Sequence, residues 1–295
     1  MMNLSLCIPT NGVEEWVFPV LQSIYEEKID EKLFQVVVTD NGNNEAFYSK
    51  MLAFQNEHNN LIYEKTDAPL FLNEIEAYKR ADGCFIKFIN HRTLLLPGAL
   101  WEWIKFVENN INEKPIVYFS NGMIPKPKDI FMYNNFDVFV RELSYWSSWS
   151  TGMGFWKEDF EKVLEKEEFN ELFPHTTILF NETKRSNYII DNRIMLKELP
   201  TGRIPKGQYD LFYAFAVEYM SILLQLCRDK TLSLESFAKL KEENLDFISI
   251  CYNNFMIKKQ FCSYDLSNYE NSIQVFYSHE QLMDVLKKKG WMNNQ

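Results

Sequence analysis

From Phe85 to Leu100 the sequence reads FIKFINHRTLLLPGAL: an apolar run, a polar triplet and a helix start in immediate succession. Phe85, Ile86, Phe88 and Ile89 have the composition of a central strand, although a run this short also suits a buried helical turn. Asn90, His91 and Arg92 follow at once. Pro97 and Gly98 then mark a turn into an amphipathic segment, Ala99 to Asn109. In an open α/β sheet, ligands sit beyond the carboxyl ends of the strands. A polar triplet in that place either meets a substrate or is simply a polar loop.

The same alternation precedes it. Leu4 to Ile8 is an apolar run ended by Pro9, and Val13 to Tyr25 repeats apolar residues at helical spacing through Val17, Leu21 and Ile24. Phe34 to Thr39 (FQVVVT) is the clearest strand, rich in β-branched residues and followed by the polar run Asp40 to Asn44. Ala46 to Gln55 reads as a helix, Leu61 to Tyr63 as a brief strand, and Asn73 to Ala81 as a helix closed by Gly83. Strands alternating with helices predict a mostly parallel, doubly wound sheet over about the first 100 residues. Beyond it, Ile116 to Ser120 reads as a strand, and a loop with Pro125 and Pro127 follows. Tyr145 to Trp156 (YWSSWSTGMGFW) concentrates tryptophan and glycine ahead of a helix at Lys157 to Glu167. A helical run follows Phe173, Pro174 and His175, Ile189 to Leu199 is strand-like, and Thr201 to Tyr209 (TGRIPKGQY) is a basic loop. Tyr209 to Cys227 and Leu232 to Phe255 carry long helical patterns, so the last third reads as largely α.

Composition narrows the function. With 31 Lys and Arg against 41 Asp and Glu, the net charge of -10 disfavours broad attraction to nucleic acid, leaving only a local basic groove. The 295 residues, 46% of them hydrophobic, suffice for a sizeable core. Five cysteines, with no C-x-x-C pair, fit reduced thiols and argue against a zinc site. MMNLSLCIPT lacks the charged and apolar regions of a signal peptide, which points to the cytosol. Leu211 to Cys227, the most apolar later segment, contains Glu218 and Gln225 and is too short to span a membrane. Phosphate-loop, nucleophile-elbow, H-E-x-x-H and G-x-G-x-x-G motifs are all missing.

Four stretches in order resemble the glycosyltransferases of family 2. LSLCIPTNG is similar to their first strand and I-P-T-Y-N-R turn, and VVVTDNGNNE to the second strand with its D-N-x-S-x-D loop. LNEIEAYKRADGCFIKF resembles N-x-x-R-A-x-x-x-A-x-G-x-Y-I-x-F, and NHRTLLLPGAL stands where the family has D-x-D-D-x-L-L-P-G-A-L. The match covers about the first 110 residues well, is loose to about residue 200, and says little of the helical end, which looks like that of bacterial surface-polysaccharide members. The resemblance implies a GT-A fold, a Rossmann-like, mostly parallel sheet flanked by helices, with a helical C-terminal region. It implies a core over residues 1–205, with a nucleotide-sugar half (1–110) and an acceptor half (111–205), ahead of a helical region over 206–295. The implied activity is transfer of a sugar, with inversion, from a nucleotide-diphosphate sugar to a saccharide acceptor.

For the donor pocket, the matching positions are Pro9, Thr10, Asp40 and Asn73. The Asp40 carboxylate either accepts an N–H of the base or caps the following turn. At the diphosphate the sequence departs from the family, whose D-x-D carboxylates hold Mn²⁺ or Mg²⁺. Asn90, His91 and Arg92 stand there instead. Arg92 repels a divalent cation but binds phosphate directly, and His91 is a ligand only if a metal is used. The expectation is a metal-independent or weakly metal-dependent transferase, with Arg203 and Lys206 as further diphosphate ligands or as a solvated loop.

For the general base, the family places an Asp, often as E-D, about 80 to 90 residues beyond D-x-D; at that distance the chain offers His175 in FPHTT and no E-D pair, with Glu158 and Asp159 as alternatives that also suit a helix's first turn. Trp149 and Gly152 are the candidate acceptor contacts. The resemblance further implies capsule or lipopolysaccharide synthesis in bacteria, a lipid-linked acceptor, and a cytoplasmic protein with peripheral contact at the inner membrane face. The Lys287–Lys288–Lys289 end is either such a contact or solvated. The lost D-x-D and E-D motifs equally suit a catalytically degenerate scaffold subunit. A nucleotidyltransferase is disfavoured because IPTNGVEEW supplies no glycine-rich, basic loop.

Overall fold

The computed structural model describes residues 3–165, 168–200, 202, 204, 205 and 207–292. The described residues form two compact units, one of residues 1–135 and 149–199, the other of residues 136–148 and 200–295.

In the first unit the elements are, in chain order, β1 (Leu4–Thr10), α1 (Glu14–Tyr25), β2 (Phe34–Asp40), α2 (Glu45–Glu57), β3 (Leu61–Lys65), α3 (Asn73–Lys79), β4 (Phe85–Phe88), β5 (Thr93–Leu95), α4 (Ala99–Asn110), β6 (Ile116–Phe119) and β7 (Ile130–Tyr133). After α5 (Phe136–Leu143), which belongs to the second unit, come β8 (Met153–Trp156), α6 (Lys157–Leu164), α7 (Pro174–Leu179), β9 (Tyr188–Asp191) and β10 (Leu196–Glu198). The main sheet has eight strands in the order β3-β2-β1-β4-β8-β6-β9-β7, and β10 pairs separately with β5. β1, β2, β3, β4, β6 and β9 run one way, while β7 and β8 run against them. Every residue of β2 and β4 is buried, as expected of parallel strands covered on both faces. The fold is thus the α/β class expected from the alternating pattern, a mostly parallel sheet flanked by helices with a helical C-terminal region.

Local differences from the sequence reading have physical causes. Ile189 to Leu199 is two strands, because Asp191 and Arg193 form an ion pair in the intervening turn, at 2.6 Å, and the chain leaves the sheet there. β8 hides in the tryptophan-rich stretch, and β7 is an edge strand too short to show its alternation.

The register fixes which ends meet. Thr10 pairs with Asp40 and Asp40 with Lys65, so the carboxyl ends of β1, β2 and β3 lie in one row. β4 ends beside Cys7. Because β8 is antiparallel to β4, with Lys87 opposite Gly154 and Phe85 opposite Trp156, the residues just before β8 lie at this same carboxyl edge. Those just after β8 lie at the amino edge.

The second unit is helical. The π-wound segment Tyr213–Glu218 continues into α8 (Tyr219–Arg228), followed by α9 (Leu234–Cys251), a second π-wound segment (Tyr252–Ile257), α10 (Tyr269–Gln274) and α11 (His279–Lys288). Asp137 of α5 anchors the start of α9, accepting from Ser233 N and, at 2.7 Å, from Ser236 Oγ. The Ser278 and Gln281 side chains close a capping box on α11. No helix among the described residues is long and apolar enough to cross a membrane.

Candidate functional site

At the carboxyl edge Asn73 acts as a staple. Its Nδ2 donates to Thr10 O at 3.1 Å and to Thr39 O at 3.0 Å, its Oδ1 accepts from Thr66 Oγ1 at 2.8 Å, and its carbonyl accepts from Thr39 Oγ1. The start of α3 is thereby tied to β1, β2 and the loop after β3. Asp40 is fully buried. Its Oδ1 accepts from Gly42 N at 2.7 Å, and its Oδ2 from Tyr63 OH at 2.8 Å and Lys65 Nζ at 3.1 Å. This charge-assisted set saturates most of the carboxylate's acceptor capacity. Gly42 is required: a Cβ there would stand 2.0 Å from Asn11 O.

The triplet that replaces the acidic motif builds its own turn. Asn90 Oδ1 accepts from Arg92 N at 3.2 Å, and Asn90 O accepts from both Thr93 N and Thr93 Oγ1. His91 Nδ1 lies 2.8 Å from Thr10 Oγ1, which also accepts from Gly12 N, and the imidazole meets the Trp16 ring edge-on at 5.0 Å. Burial and the neighbouring Arg92 push the His91 pKa down to about 4, so the ring is neutral at physiological pH. Arg92 directs Nη1 toward Glu198 at 3.3 Å, and its carbonyl accepts from Leu199 N. Thus Pro9, Thr10, Asp40, Asn73, Asn90, His91 and Arg92 meet along one edge. Arg203 and Lys206 lie outside the described residues.

This donor set does not suit a divalent cation. Asn90 Oδ1 is engaged by its own turn, His91 Nδ1 by Thr10, and Arg92 brings a positive charge. Among the described residues no group of three or more His, Cys, Asp or Glu side chains is arranged to hold a metal ion.

The same edge continues through the segment before β8. Lys87, fully buried on β4, donates to Thr151 O at 2.8 Å, Met153 O at 3.1 Å and Phe88 O at 2.9 Å, and burial pushes its pKa down to about 7. All three ammonium protons are used. Gly152 lies on the Tyr118 ring, where a Cβ would come within 2.1 Å, and Tyr118 OH donates to Trp149 O at 2.8 Å. Ser150 Oγ sits 2.6 Å from Glu74 Oε1 and 3.1 Å from His175 Nδ1. Glu74 and His175 are both buried, and burial lifts the Glu74 pKa to about 8 against the pull of hydrogen bonds from Ser150 and Tyr78.

Glu158 and Asp159 belong elsewhere. α6 leaves β8 at the amino edge, where Lys157 N donates to Cys84 O. Glu158 pairs with Lys114, and Asp159 with Lys162 at 3.0 Å and Arg185 at 2.5 Å. The structure therefore does not bring these two carboxylates to the edge that gathers the other candidates.

Sequence reasoning overlooked Glu74, Ser150, Lys87 and Lys65. A signal existed for two of them. Glu74 falls on the stripe of α3 that also carries Ala77 and Tyr78, and Lys87 interrupts a strand that is otherwise wholly apolar.

A scan of the sequence against family models finds no match, and a search among curated proteins finds none either. Similarity appears in solved structures. S. aureus TarS matches with 14% identity and a TM-score of 0.58 over 98% of this chain, which spans 53% of that protein, about half its length. TarS 1-349 with UDP-GlcNAc gives 15% identity and a TM-score of 0.60, over 93% of this chain and 80% of that one. The mannosyltransferase PcManGT from Pyrobaculum calidifontis, in complex with GDP-Man and Mn²⁺, gives 14% and 0.53, over 98% and 87%. The neighbours are glycosyltransferases, and the likeness is one of fold, of GT-A type.

Proposed function

We propose that this chain is an inverting, family-2-like glycosyltransferase that moves a sugar from a nucleoside-diphosphate sugar to a hydroxyl of a saccharide acceptor. The observation that carries the reading is convergence. Thr10, Asp40, Asn73 and the Asn90–Arg92 turn come from separate stretches of sequence and meet beyond the carboxyl ends of parallel strands, where such sheets bind ligands. The neighbours solved with UDP-GlcNAc and GDP-Man support a nucleotide sugar as donor.

In this reading the base and ribose lie along β1 and β2, and the diphosphate lies over the Asn90–Arg92 turn. Arg92 is the natural diphosphate ligand: among the described residues its guanidinium is held only by Glu198, whose side chain is largely exposed, so a phosphate can compete for it. Arg203 and Lys206 are proposed as further ligands. The acceptor approaches the Trp149–Gly152 segment that Lys87 holds against β4. A lipid-linked saccharide of a bacterial surface glycan is the proposed acceptor class, with the protein in the cytoplasm at the inner membrane face.

A donor screen tests the reading. UDP-, GDP-, CDP- and dTDP-sugars, each with EDTA and with Mn²⁺, should give binding by calorimetry and release of nucleoside diphosphate for at least one donor, undiminished by EDTA. Activity lost in EDTA and restored by Mn²⁺ would sink the metal-independent arrangement. No binding to any donor would favour the degenerate scaffold.

A further inference from the structure

Two buried groups that can take up a proton converge on one hydroxyl. Glu74, the second residue of α3, is 3% exposed and His175, at the start of α7, is 1% exposed. Ser150 lies between them, bonded to Glu74 Oε1 at 2.6 Å and to His175 Nδ1 at 3.1 Å, and it is the half-buried one of the three. Its position is set by the sheet. Ser150 precedes β8, so it lies at the carboxyl edge, and the Thr151 carbonyl beside it is fixed by Lys87. Glu74 follows Asn73, the staple of the donor edge.

Among the described residues no cation bonds to Glu74. Besides Ser150 it meets Tyr78 OH at 3.4 Å, and Cys7 of β1 faces Tyr78 in turn. The other charges of α3 are engaged elsewhere: Glu76 pairs with Lys79 and Arg80, and Arg80 also with Glu64. A buried carboxyl with no ion pair among the described residues, bonded to one half-buried hydroxyl, has the environment of a proton-accepting group rather than of a fold-stabilising charge.

We propose that Glu74 accepts the proton of the incoming hydroxyl through Ser150, with His175 holding the serine in place. The inference rests on the glycosyltransferase reading and deepens it by naming the proton path. As the acceptor oxygen bonds to the anomeric carbon, the bond from that carbon to the diphosphate breaks and its electron pair leaves on the phosphate oxygen. The acceptor's proton passes to Ser150 Oγ, and the serine's own proton passes to the ionised Glu74 carboxylate. His175 donates to Oγ from Nδ1–H throughout. Glu74 afterwards returns its proton to water. Ser150 touches the reacting hydroxyl, whereas Glu74 and His175 act through it and are positioning residues.

The test uses the full chain, with UDP-GlcNAc and GDP-mannose as donors and water as the accepting hydroxyl. Glu74→Gln keeps an acceptor for Ser150 but cannot take a proton. Turnover should fall about 10²- to 10⁴-fold in Glu74→Gln and in Ser150→Ala, the range for removing general-base assistance. Donor affinity should stay within about twofold in both, because only a transition-state interaction is lost. Wild-type turnover should rise with pH with a midpoint near 8, and Glu74→Gln should be flat over that interval. Glu74→Asp should keep a rising limb at reduced rate. Glu74→Gln with wild-type turnover and an unchanged pH profile would overturn the proton path while leaving the transferase reading intact. If Glu74→Gln does not fold, Ser150→Ala decides, and full turnover there overturns the path equally. A wild-type chain that neither binds nor cleaves any nucleotide sugar overturns both.

Discussion

Asp159, at the amino edge of the main sheet, and Glu74, at its carboxyl edge, are both buried carboxyl groups whose pKa burial raises, but their partners differ. At the amino edge, Asp159 is gripped by Lys162 and Arg185, Arg185 also by Glu182, and Glu158 by Lys114. At the carboxyl edge, Glu74 has only hydroxyl partners among the described residues, and its pKa rises to about 8. Both are acidic residues near helix starts, and nothing in their immediate sequence separates them. Compensation separates them: a carboxylate held by cations holds the fold together, while one left uncompensated in a buried place near a candidate ligand edge is poised for proton transfer.

The largest effect that would sharpen this contrast is in the pH dependence of stability. The Glu74 pKa is about 8 folded and, as for any exposed glutamate, about 4.3 unfolded. Between these values the folded state holds the extra proton, so the contribution of Glu74 is complete at low pH and is lost as pH rises toward 8. Neighbouring groups run the other way: His91, lowered to about 4, costs stability as pH falls below 6.5, and Lys87, lowered to about 7, shifts the balance above neutrality. The Glu74 share is therefore read as the difference between wild type and Glu74→Gln. From pH 5 to 8 that difference should change by on the order of 4 kcal/mol in urea unfolding, with wild type losing ground. Parallel curves for the two proteins would mean that Glu74 ionises normally, and the contrast between the edges would collapse.

Asp159→Ala tests the opposite edge. Removing it takes a partner from Arg185 and Lys162, although both keep Glu182, so the expected loss is about 3 kcal/mol, at the low end for breaking a buried pair. Nucleoside diphosphate release per folded molecule should be unchanged. A folded Asp159→Ala protein that binds donor yet turns over at a small fraction of the wild-type rate would return Asp159 to the mechanism.

How far the sequence could foresee this depends on the range of the interactions. β1, β2, β4 and β6 announce themselves as short apolar runs because burial on both faces leaves a local trace, and Asn73, Asp40 and the Asn90–Arg92 turn follow from the family resemblance. The partner of Glu74 is different. Ser150 lies 76 residues away in a stretch whose strand, β8, was itself hidden among tryptophans and glycines. Read locally, Glu74 and Glu76 look like equivalent acids in a first helical turn, and Glu158 and Asp159 look like the same thing again. Only the antiparallel insertion of β8 assigns Ser150 to one edge of the sheet and Asp159 to the other. A topology of that kind leaves no short-range mark in the chain.

The smallest predicted effect concerns Arg92, where the donor edge departs most from the family's acidic pattern. Its ion pair with Glu198 is loose at 3.3 Å, and the Glu198 side chain is 64% exposed, so solvent screening leaves that pair little weight. Arg92→Ala should therefore cost less than about 1 kcal/mol of stability. If the guanidinium serves the diphosphate, the same change should raise the donor KM about tenfold, equivalent to about 1.4 kcal/mol, and raise it less in high salt. Arg92→Lys should restore charge but not bidentate geometry, giving an intermediate KM. Equal donor affinity in wild type and Arg92→Ala would reduce Arg92 to a brace between the Asn90–Thr93 turn and β10.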